Sequence, residues 1–385
     1  MIAILRGEAR LRWNGFFLIL IIYFIALALS AMASASLGAT GFKLVTQVYL
    51  LALPVLVYTL VDSAEDLRRA MLAWLAGSAI PAVVGAATVV LFYVGVDRRW
   101  LSGALHEYGL LPPGNYPRVE ATFYFPAMLC NFLTTSVFVL FAARQRGWLD
   151  RRLSDPLLAA IIVAAAFTVT PGLGGFVLAL CLWVYWGNSS GPIRLIALIV
   201  GVAAAAASVP ISTLTPIIHP TAPDLINVGG MTFAPAVRLM TWTAAANLWL
   251  AHPILGTGIG AAPLAVRFLD PSGVLHVLTD AHNVYLNIAA QCGSAGLAAL
   301  LLLIGRVVKD TSRFRQGALM PLTLVLGIAW VDAFAIEGFT GSYEDARHLW
   351  VLLGLWLVSM THGSAAESGG MKDLRAAVES NSSRE

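Results

Sequence analysis

Long apolar segments follow one another along most of the chain, and they constrain its fold more than any other feature. At 1.5 Å per residue, a helix of about 20 apolar residues crosses the hydrocarbon core of a bilayer. Ten candidate spans can be distinguished, at about residues 14–35, 44–61, 71–95, 121–143, 157–170, 175–188, 195–211, 283–304, 319–337 and 348–362. Since backbone exposed to lipid must satisfy its own hydrogen bonds, each span has to be a helix or part of a closed barrel. The sequence predicts an all-α, polytopic membrane protein with about ten transmembrane helices.

The composition agrees with this class. Hydrophobic residues make up 58% of the chain and charged residues only 12%, whereas soluble domains carry about 25% charged residues. The first apolar run, from Phe16, is long enough to span a membrane and further spans follow it. We therefore interpret it as a retained first helix and not as a cleaved signal peptide.

The distribution of positive charge predicts the orientation of the spans. With the N-terminus in the cytoplasm, most of the 24 lysines and arginines fall on the cytoplasmic side, as the positive-inside rule requires. The positive residues predicted outside are Lys43, Arg98, Arg99, Arg118, Arg238, Arg267 and Arg347. Most of the histidines also fall outside. We therefore expect both termini in the cytoplasm and any chemistry on the outer face.

Four regions follow from this topology. Residues 1–211 form the first seven transmembrane helices and residues 282–362 the last three. Between them, residues 212–281 form an outer loop that is too long for a plain connector. It contains the helix-forming, amphipathic stretch APAVRLMTWTAAANLWLAHP. The polar residues 363–385 are predicted to be a disordered cytoplasmic tail.

The eighth span opens with polar groups. Asn283, Asn287, Gln291 and Ser294 are spaced for one face of a helix, so this face meets other helices or a wet cavity. Hydrogen bonding between helices would explain the stripe without any chemistry. His282 lies at the outer mouth of the span, where it is either an interfacial anchor or a group that exchanges a proton near neutral pH.

Arg238 and Trp242 are four residues apart on the predicted loop helix. An arginine on an interfacial helix can simply extend its charge toward water while its stem covers apolar surface. The functional alternative is anion binding, because a guanidinium grips a phosphate with two parallel hydrogen bonds.

Two further cations lie at outer helix entrances, where the charge bias disfavours them. Arg118 precedes the fourth span and has Glu120 nearby, and Arg347 precedes the tenth span and has Glu344 one turn away. Each is therefore either half of a structural ion pair or part of an anion site.

Other familiar motifs are not supported. The alternating glycines of GTGIG, at 256–260, lack the spacing and the strand–turn–helix context of a dinucleotide site, so we interpret them as a tight backbone turn. The sequence shows no metal-ligand spacing, no phosphate-binding loop and no basic stripe for nucleic acid.

The order of these pieces resembles the O-antigen ligase and polymerase superfamily. Its members show an arginine-led helix, a turn with proline and alternating glycines, and an His-Asn pair that opens a membrane helix. The matching positions are Arg238, Trp242, Pro253, Gly256, Gly258, Gly260, His282, Asn283, Tyr285, Leu286, Gly293 and Gly296. EDLRRAMLAWLAG, RVEATFYFP and EDARHLWVLLGL are weaker similarities.

The resemblance implies a bacterial inner-membrane protein with a glycosyltransferase-C-like fold and a periplasmic cavity. It implies a donor glycan on undecaprenyl diphosphate and a hydroxyl acceptor, which is lipid A–core in ligases and another glycan in polymerases. No metal, cofactor or nucleic acid is implied, because the diphosphate is already the leaving group.

The resemblance also implies roles for single residues. His282 would activate the acceptor hydroxyl and Arg238 would stabilise the departing diphosphate; both would be catalytic. The substrate-binding residues would be Arg118, Arg347, Asn283, Trp242, Tyr285 and Glu120.

One departure separates this chain from many ligases. They carry a Ser-Arg-Gly turn where Thr170, Pro171 and Gly172 stand here. Either Arg118 or Arg347 takes over, or the substrate differs, or activity has been lost and the protein is a scaffold. Polymerase activity and, in a different class, secondary transport remain alternatives.

Overall fold

The computed structural model confirms that the chain is mostly helical. It describes residues 11–105, 117–187, 190–216, 226–228, 231–261, 264, 266–269, 275–313 and 321–361. The predicted tail, 363–385, lies outside the described residues. The helices are α1 (Phe17–Ser30), α2 (Leu37–Leu60), α3 (Ala64–Tyr93), α4 (Arg98–Leu101), α5 (Pro126–Gln145), α6 (Arg151–Ala166), α7 (Leu173–Gly187), α8 (Gly191–Thr213), α9 (Val237–Ala251), α10 (Val284–Ser312), α11 (Leu322–Trp330) and α12 (347–361). A 3₁₀ turn (Ala31–Ala33) follows α1, and α11 continues as a π-helix (Val331–Ile336) and a 3₁₀ turn (Glu337–Phe339).

A helix lies at each of the ten predicted spans. Within the described residues, six helices are long and apolar enough to cross a membrane: α2, α3, α5, α8, α10 and α11 with its continuation to Phe339. Residues Phe17–Ala33 and α7 are apolar but shorter. The chain is therefore an integral membrane protein, while the count of ten spans stays a prediction.

Local signals start several helices where the apolar runs begin. The side chain of Ser63 caps α3 by accepting from the Asp66 N–H, and α5 starts with Pro126 in its first turn, where proline costs no hydrogen bond. Asn283 caps α10 by accepting from the Leu286 N–H.

The core lies between α5, α11 and α12. It contains the fully buried side chains of Trp330, Trp350 and Trp356. Small residues allow close helix approach elsewhere: Gly85 of α3 packs on Ala164 of α6, and Gly201 of α8 packs on Cys181 of α7.

The region 212–281 contains α9, as predicted, and also two small antiparallel sheets that the sequence did not indicate. Strands β1 (Leu214–Pro216), β2 (Ile226–Val228) and β3 (Met231–Pro235) form the first sheet in the order β1-β3-β2. Strands β4 (Val266–Leu269) and β5 (Leu275–Leu278) form the second, with Val266 opposite Leu278. The strands have at most five residues, too few for a clear alternation of polar and apolar positions.

Candidate active site

Four chain segments that are far apart in sequence meet at one end of the helix bundle. They are the start of α2, the turn 167–172, the stretch 252–283 with α9 packed above it, and the loop 340–346. The positive-charge distribution predicts every one of them to be on the outer side. The residues singled out in the sequence therefore belong to one end of the molecule.

The GTGIG turn, residues 256–260, packs closely against α10 and holds it at this end of the bundle. Gly256 has a φ of +69°, and a Cβ on it would lie 2.4 Å from the backbone of Gln291. On α10, Gly293 breaks the helix with a φ of +63°, and a Cβ there would lie 2.2 Å from the Ile254 carbonyl oxygen. The turn enters the break and pairs with it, since the Ser294 N–H donates to Pro253 O at 2.7 Å and the Thr257 N–H to Ala290 O at 3.0 Å. Only glycine permits such an approach.

The polar stripe of α10 makes hydrogen bonds between segments. Gln291 donates to Asn287 at 3.0 Å and accepts from the Gly260 N–H at 2.8 Å. Asn287 also donates to the buried carboxylate of Glu344, and Ser294 accepts from Trp249 at 3.1 Å. The structure therefore supports the interpretation that the stripe forms hydrogen bonds between α10 and the segments packed against it.

His282 stands at the mouth of α10 in an unusual backbone conformation. Its φ is +49°, a left-handed value that is uncommon outside glycine and marks sites worth a functional hypothesis. Its backbone N–H donates to Asp280 Oδ1, and its ring Nδ1 lies 3.6 Å from the same oxygen. Burial lowers the pKa of His282 below its ordinary value; Asp280 opposes this and the charge of Arg238 adds to it. The ring is therefore neutral at neutral pH and can accept a proton.

Arg238, on the first turn of α9, faces the same region. Its guanidinium interacts electrostatically with Asp280, Tyr343 and His282. Burial lowers the pKa of Arg238, and Tyr343 and Asp280 oppose that change; a guanidinium remains charged in any case. The hydroxyl of Thr241, one turn along α9, lies 3.3 Å from the Ala281 carbonyl oxygen and ties the helix to the His282 segment.

Buried donor groups in this region lack partners within the described part of the chain. They are Nε of Arg238, Nε1 of Trp242 and the hydroxyl of Tyr343. A buried donor without a partner costs about 1–3 kcal/mol. Three of them in one region indicate an acceptor-rich ligand, and phosphate or sugar oxygens have that chemistry.

Tyr343 connects this region to the turn that lacks the superfamily's arginine. A Cβ on Gly172 would lie 3.5 Å from the Tyr343 hydroxyl and 3.2 Å from Glu337 Oε2. Burial raises the pKa of Tyr343 well above its ordinary value, and Glu337 raises it further. The hydroxyl is therefore a neutral donor.

The remaining predicted residues lie around this centre in different ways. Asn283 has a structural part, since it caps α10 and donates to Phe339 O at 3.0 Å. Tyr285 donates to Ala335 O at 2.7 Å. Arg118 donates to Thr168 O at 3.2 Å and so lies beside the turn 167–172. Arg347 is exposed, over the ring of Tyr49.

Glu120 lies in the same segment as Arg118. Its backbone N–H donates to Ala104 O at 2.9 Å, which holds the segment against the end of α4.

Sequence reasoning missed three residues of the site. Asp280 was one outer acid among several, although its position two residues before His282 was a usable signal. Tyr343 gave no signal, because only the fold brings it to Arg238. Glu344 was considered only as a partner of Arg347, but it is buried and bound to Asn287. Burial raises the pKa of Glu344 to about 8, and Asp345 and Asp280 add to this.

No group of three or more His, Cys, Asp or Glu side chains among the described residues is placed to hold a metal ion.

Comparison with known proteins supports the resemblance. No curated protein matches the chain. A family model described as O-antigen ligase matches residues 156–301, which include α7 to α9, the glycine turn, His282 and the start of α10. The match supports the predicted resemblance to the O-antigen ligase superfamily and a function of the ligase or polymerase type.

Proposed function

We propose that this protein transfers a glycan from undecaprenyl diphosphate to a hydroxyl acceptor at the periplasmic face of the bacterial inner membrane. One observation carries the proposal: His282, in a left-handed backbone conformation beside Asp280, shares its site with Arg238, with which it interacts electrostatically. The family match over residues 156–301 supports the same class of reaction.

The cationic side of the site suits the leaving group. When the anomeric C–O bond breaks, the electron pair and the negative charge pass to the diphosphate. Donors that are already in place, in surroundings poor in water, stabilise such charge most strongly. Arg238 supplies the positive charge, and the unpaired donors of Trp242 and Tyr343 supply neutral hydrogen bonds. Arg118, beside the turn 167–172, is the second cation within reach of the leaving group.

The imidazole side of the site suits the acceptor. His282 takes the proton from the acceptor hydroxyl while the oxygen bonds to the anomeric carbon and the diphosphate leaves from the opposite face. This direct displacement inverts the anomeric centre and needs neither metal nor nucleotide. A general base typically contributes about 10²–10⁴-fold.

The ligase and polymerase activities of the superfamily differ in the acceptor that they use. A ligase would use lipid A–core, and a polymerase another lipid-linked glycan. Both acceptors present a hydroxyl to the same base, so the proposal covers both, and donor and acceptor both reach the site from the membrane.

Secondary transport fits the structure less well. Transporters use broken helices to expose backbone groups to ions and substrates. The break at Gly293 is instead filled by residues 253–258, which pair with the backbone around it. The break therefore serves packing.

The test uses purified protein in lipid nanodiscs with a synthetic undecaprenyl-diphosphate oligosaccharide, an excess of hydroxyl acceptor and a metal chelator. We expect release of undecaprenyl diphosphate, reduced at least about 10²-fold by His282→Ala and about 10²–10³-fold by Arg238→Ala. His252→Ala and Arg267→Ala serve as controls, because both side chains belong to the same region and are exposed.

Equal rates in His282→Ala and the wild type would overturn the assignment of the base, and a strict need for a metal ion would overturn the mechanism. Flux of the donor across proteoliposomes that persists in both site variants would favour a transporter.

A further inference from the structure

Asp280 occupies a distinctive position beside His282. Its Oδ1 accepts from the His282 backbone N–H and from the Ser342 hydroxyl, the latter at 2.5 Å. The same oxygen lies 3.6 Å from the imidazole Nδ1. One carboxylate oxygen thus contacts the backbone of the proposed base, faces its ring and is itself held by the loop 340–346.

The charged surroundings limit what this carboxylate does. Arg238 on α9 interacts with both Asp280 and His282. Lys43 on α2 and Glu344 on the loop 340–346 interact with Asp280, and Tyr343 faces Arg238 from the same loop. Among these groups only Asp280 is in ion-pair contact with the ring, at the Nδ1 side.

We infer that Asp280 is a positioning residue, which holds the imidazole of His282 with a proton on Nδ1 and leaves the Nε2 lone pair to accept the proton of the acceptor hydroxyl. The part that concerns the acceptor rests on the proposed function. The choice of tautomer does not, because it follows from the contact between Asp280 and Nδ1. At 3.6 Å the two atoms are too far apart for a hydrogen bond, but the negative oxygen favours an N–H over a lone pair at the ring nitrogen nearest to it, and this decides which nitrogen carries the proton.

A purely structural role has to be separated from this one. Asp280 accepts from the N–H two residues ahead, which is a turn that asparagine forms equally well. Asp280→Asn therefore keeps both accepting contacts and removes only the negative charge. Asp97 offers a matched control, since its Oδ1 accepts from the Arg99 N–H, also two residues ahead, at 2.9 Å and no histidine is involved.

The first measurement needs no substrate. Protein carrying ¹³C- and ¹⁵N-labelled histidine is titrated in nanodiscs by NMR, and the His282 signals are assigned from their loss in His282→Gln. We expect the Nδ1–H tautomer in the wild type and in Asp97→Asn. In Asp280→Asn we expect a weaker preference for Nδ1–H, because a neutral amide oxygen disfavours a nearby ring lone pair less than a carboxylate does. We also expect a lower pKa for His282, because the charge that favoured the protonated ring is gone.

The second measurement is the rate of donor consumption against pH. Asp280→Asn should lower kcat by about 10-fold with little change in the donor KM, and the acidic limb of the profile should move to lower pH. Asp280→Glu, which restores the charge, should recover part of kcat.

The outcomes separate the two proposals. Unchanged tautomer and pKa in Asp280→Asn, or a loss of rate at all pH values with no move of the acidic limb, would leave Asp280 as a turn former and overturn the inference. If the NMR result is as expected but no glycan is transferred, the proposed function fails and the pairing of Asp280 with His282 stands.

Discussion

At the turn 167–172, where many ligases carry an arginine, the side chain that arrives is Tyr343 from a distant part of the chain. Its hydroxyl is buried, has no partner among the described residues, and lies between this turn and Arg238. A neutral hydroxyl donates one hydrogen bond and no charge, so it replaces only part of what a guanidinium offers. We therefore expect Arg238 to carry most of the leaving-group charge in this protein.

Removal of this hydroxyl isolates its contribution. In Tyr343→Phe the ring still fills its buried position, and loss of an unpaired donor costs no hydrogen bond, so Tm should stay the same or rise. Glycan transfer should fall by about 10-fold, since a neutral hydrogen bond contributes about 0.5–1.5 kcal/mol. Thermal unfolding and transfer rate, measured on one preparation, check both points.

Tyr23→Phe is the matched control for this prediction. Tyr23 is fully buried and its hydroxyl is also without a partner within the described residues, but its ring stacks on Trp350 and its electrostatic neighbours are Glu344 and Asp345 instead of Arg238. If Tyr343→Phe lowers Tm and leaves the rate of glycan transfer unchanged, the hydroxyl stabilises the folded protein and does not contribute to transfer.

Single residues of the site could be predicted to different extents. His282 and Arg238 lie in local patterns that the superfamily shares, so one sequence was enough to propose them. Tyr343 and the contact of Ser342 with Asp280 depend on the loop 340–346 folding onto α9 and α10. No spacing within the chain encodes such a meeting.

Among the elements, α10 and the glycine turn show where patterns stop being informative. The apolar runs locate the helices, because lipid demands a continuous apolar surface, but several helix ends differ from the predicted ones by more than five residues, as at Leu37 and Ser312. The break in α10 could not be predicted, since a glycine inside an apolar run is equally compatible with an unbroken helix. Only the approach of the Ile254 carbonyl explains why glycine stands there.

Gly293→Ala tests this reading of the break. A positive φ and a clash with the Ile254 carbonyl oxygen should together lower the free energy of unfolding by at least about 2 kcal/mol. In the same helix, Gly305 is exposed and has nothing within 4 Å of its Cβ position, so Gly305→Ala should be neutral or stabilising by up to about 1 kcal/mol. Unfolding in nanodiscs by heat or denaturant compares the two. Similar stability of both variants would contradict a close-packed break.

For the whole molecule, the distribution of charge and the folded structure lead to the same grouping. The segments that form the site come from four parts of the chain, and the positive-inside rule assigns all of them to one side of the membrane. The structure brings these segments into contact, which the rule alone could not do, because it gives the side of each segment and not its neighbours.

Labelling of single cysteines tests the orientation. Arg69 lies near the start of α3 and Ser102 lies beyond its end, and both are exposed. The 30 residues of α3 span about 45 Å. A membrane-impermeant maleimide should label Ser102→Cys in intact spheroplasts and Arg69→Cys only after the membrane is opened. The unsubstituted protein serves as the control for labelling of the native cysteines. Cys130 and Cys292 are buried, and Cys181 is partly accessible. The opposite pattern would invert the topology and remove the site from the periplasm.

The break at Gly293 also has a mechanical meaning. The segment 284–292, which carries the polar stripe and follows His282, is fastened to residues 253–258 and to the loop 340–346. The remainder of α10 is joined to it through one non-helical residue, and its first turn is held to the same stretch by the N–H groups of Ser294 and Ala295. A helix tilts when the thickness of its bilayer changes, and a rigid rod would carry that tilt to its tip. Because α10 is divided at an anchored break, its lipid-embedded part can pivot there, and less of its tilt reaches His282.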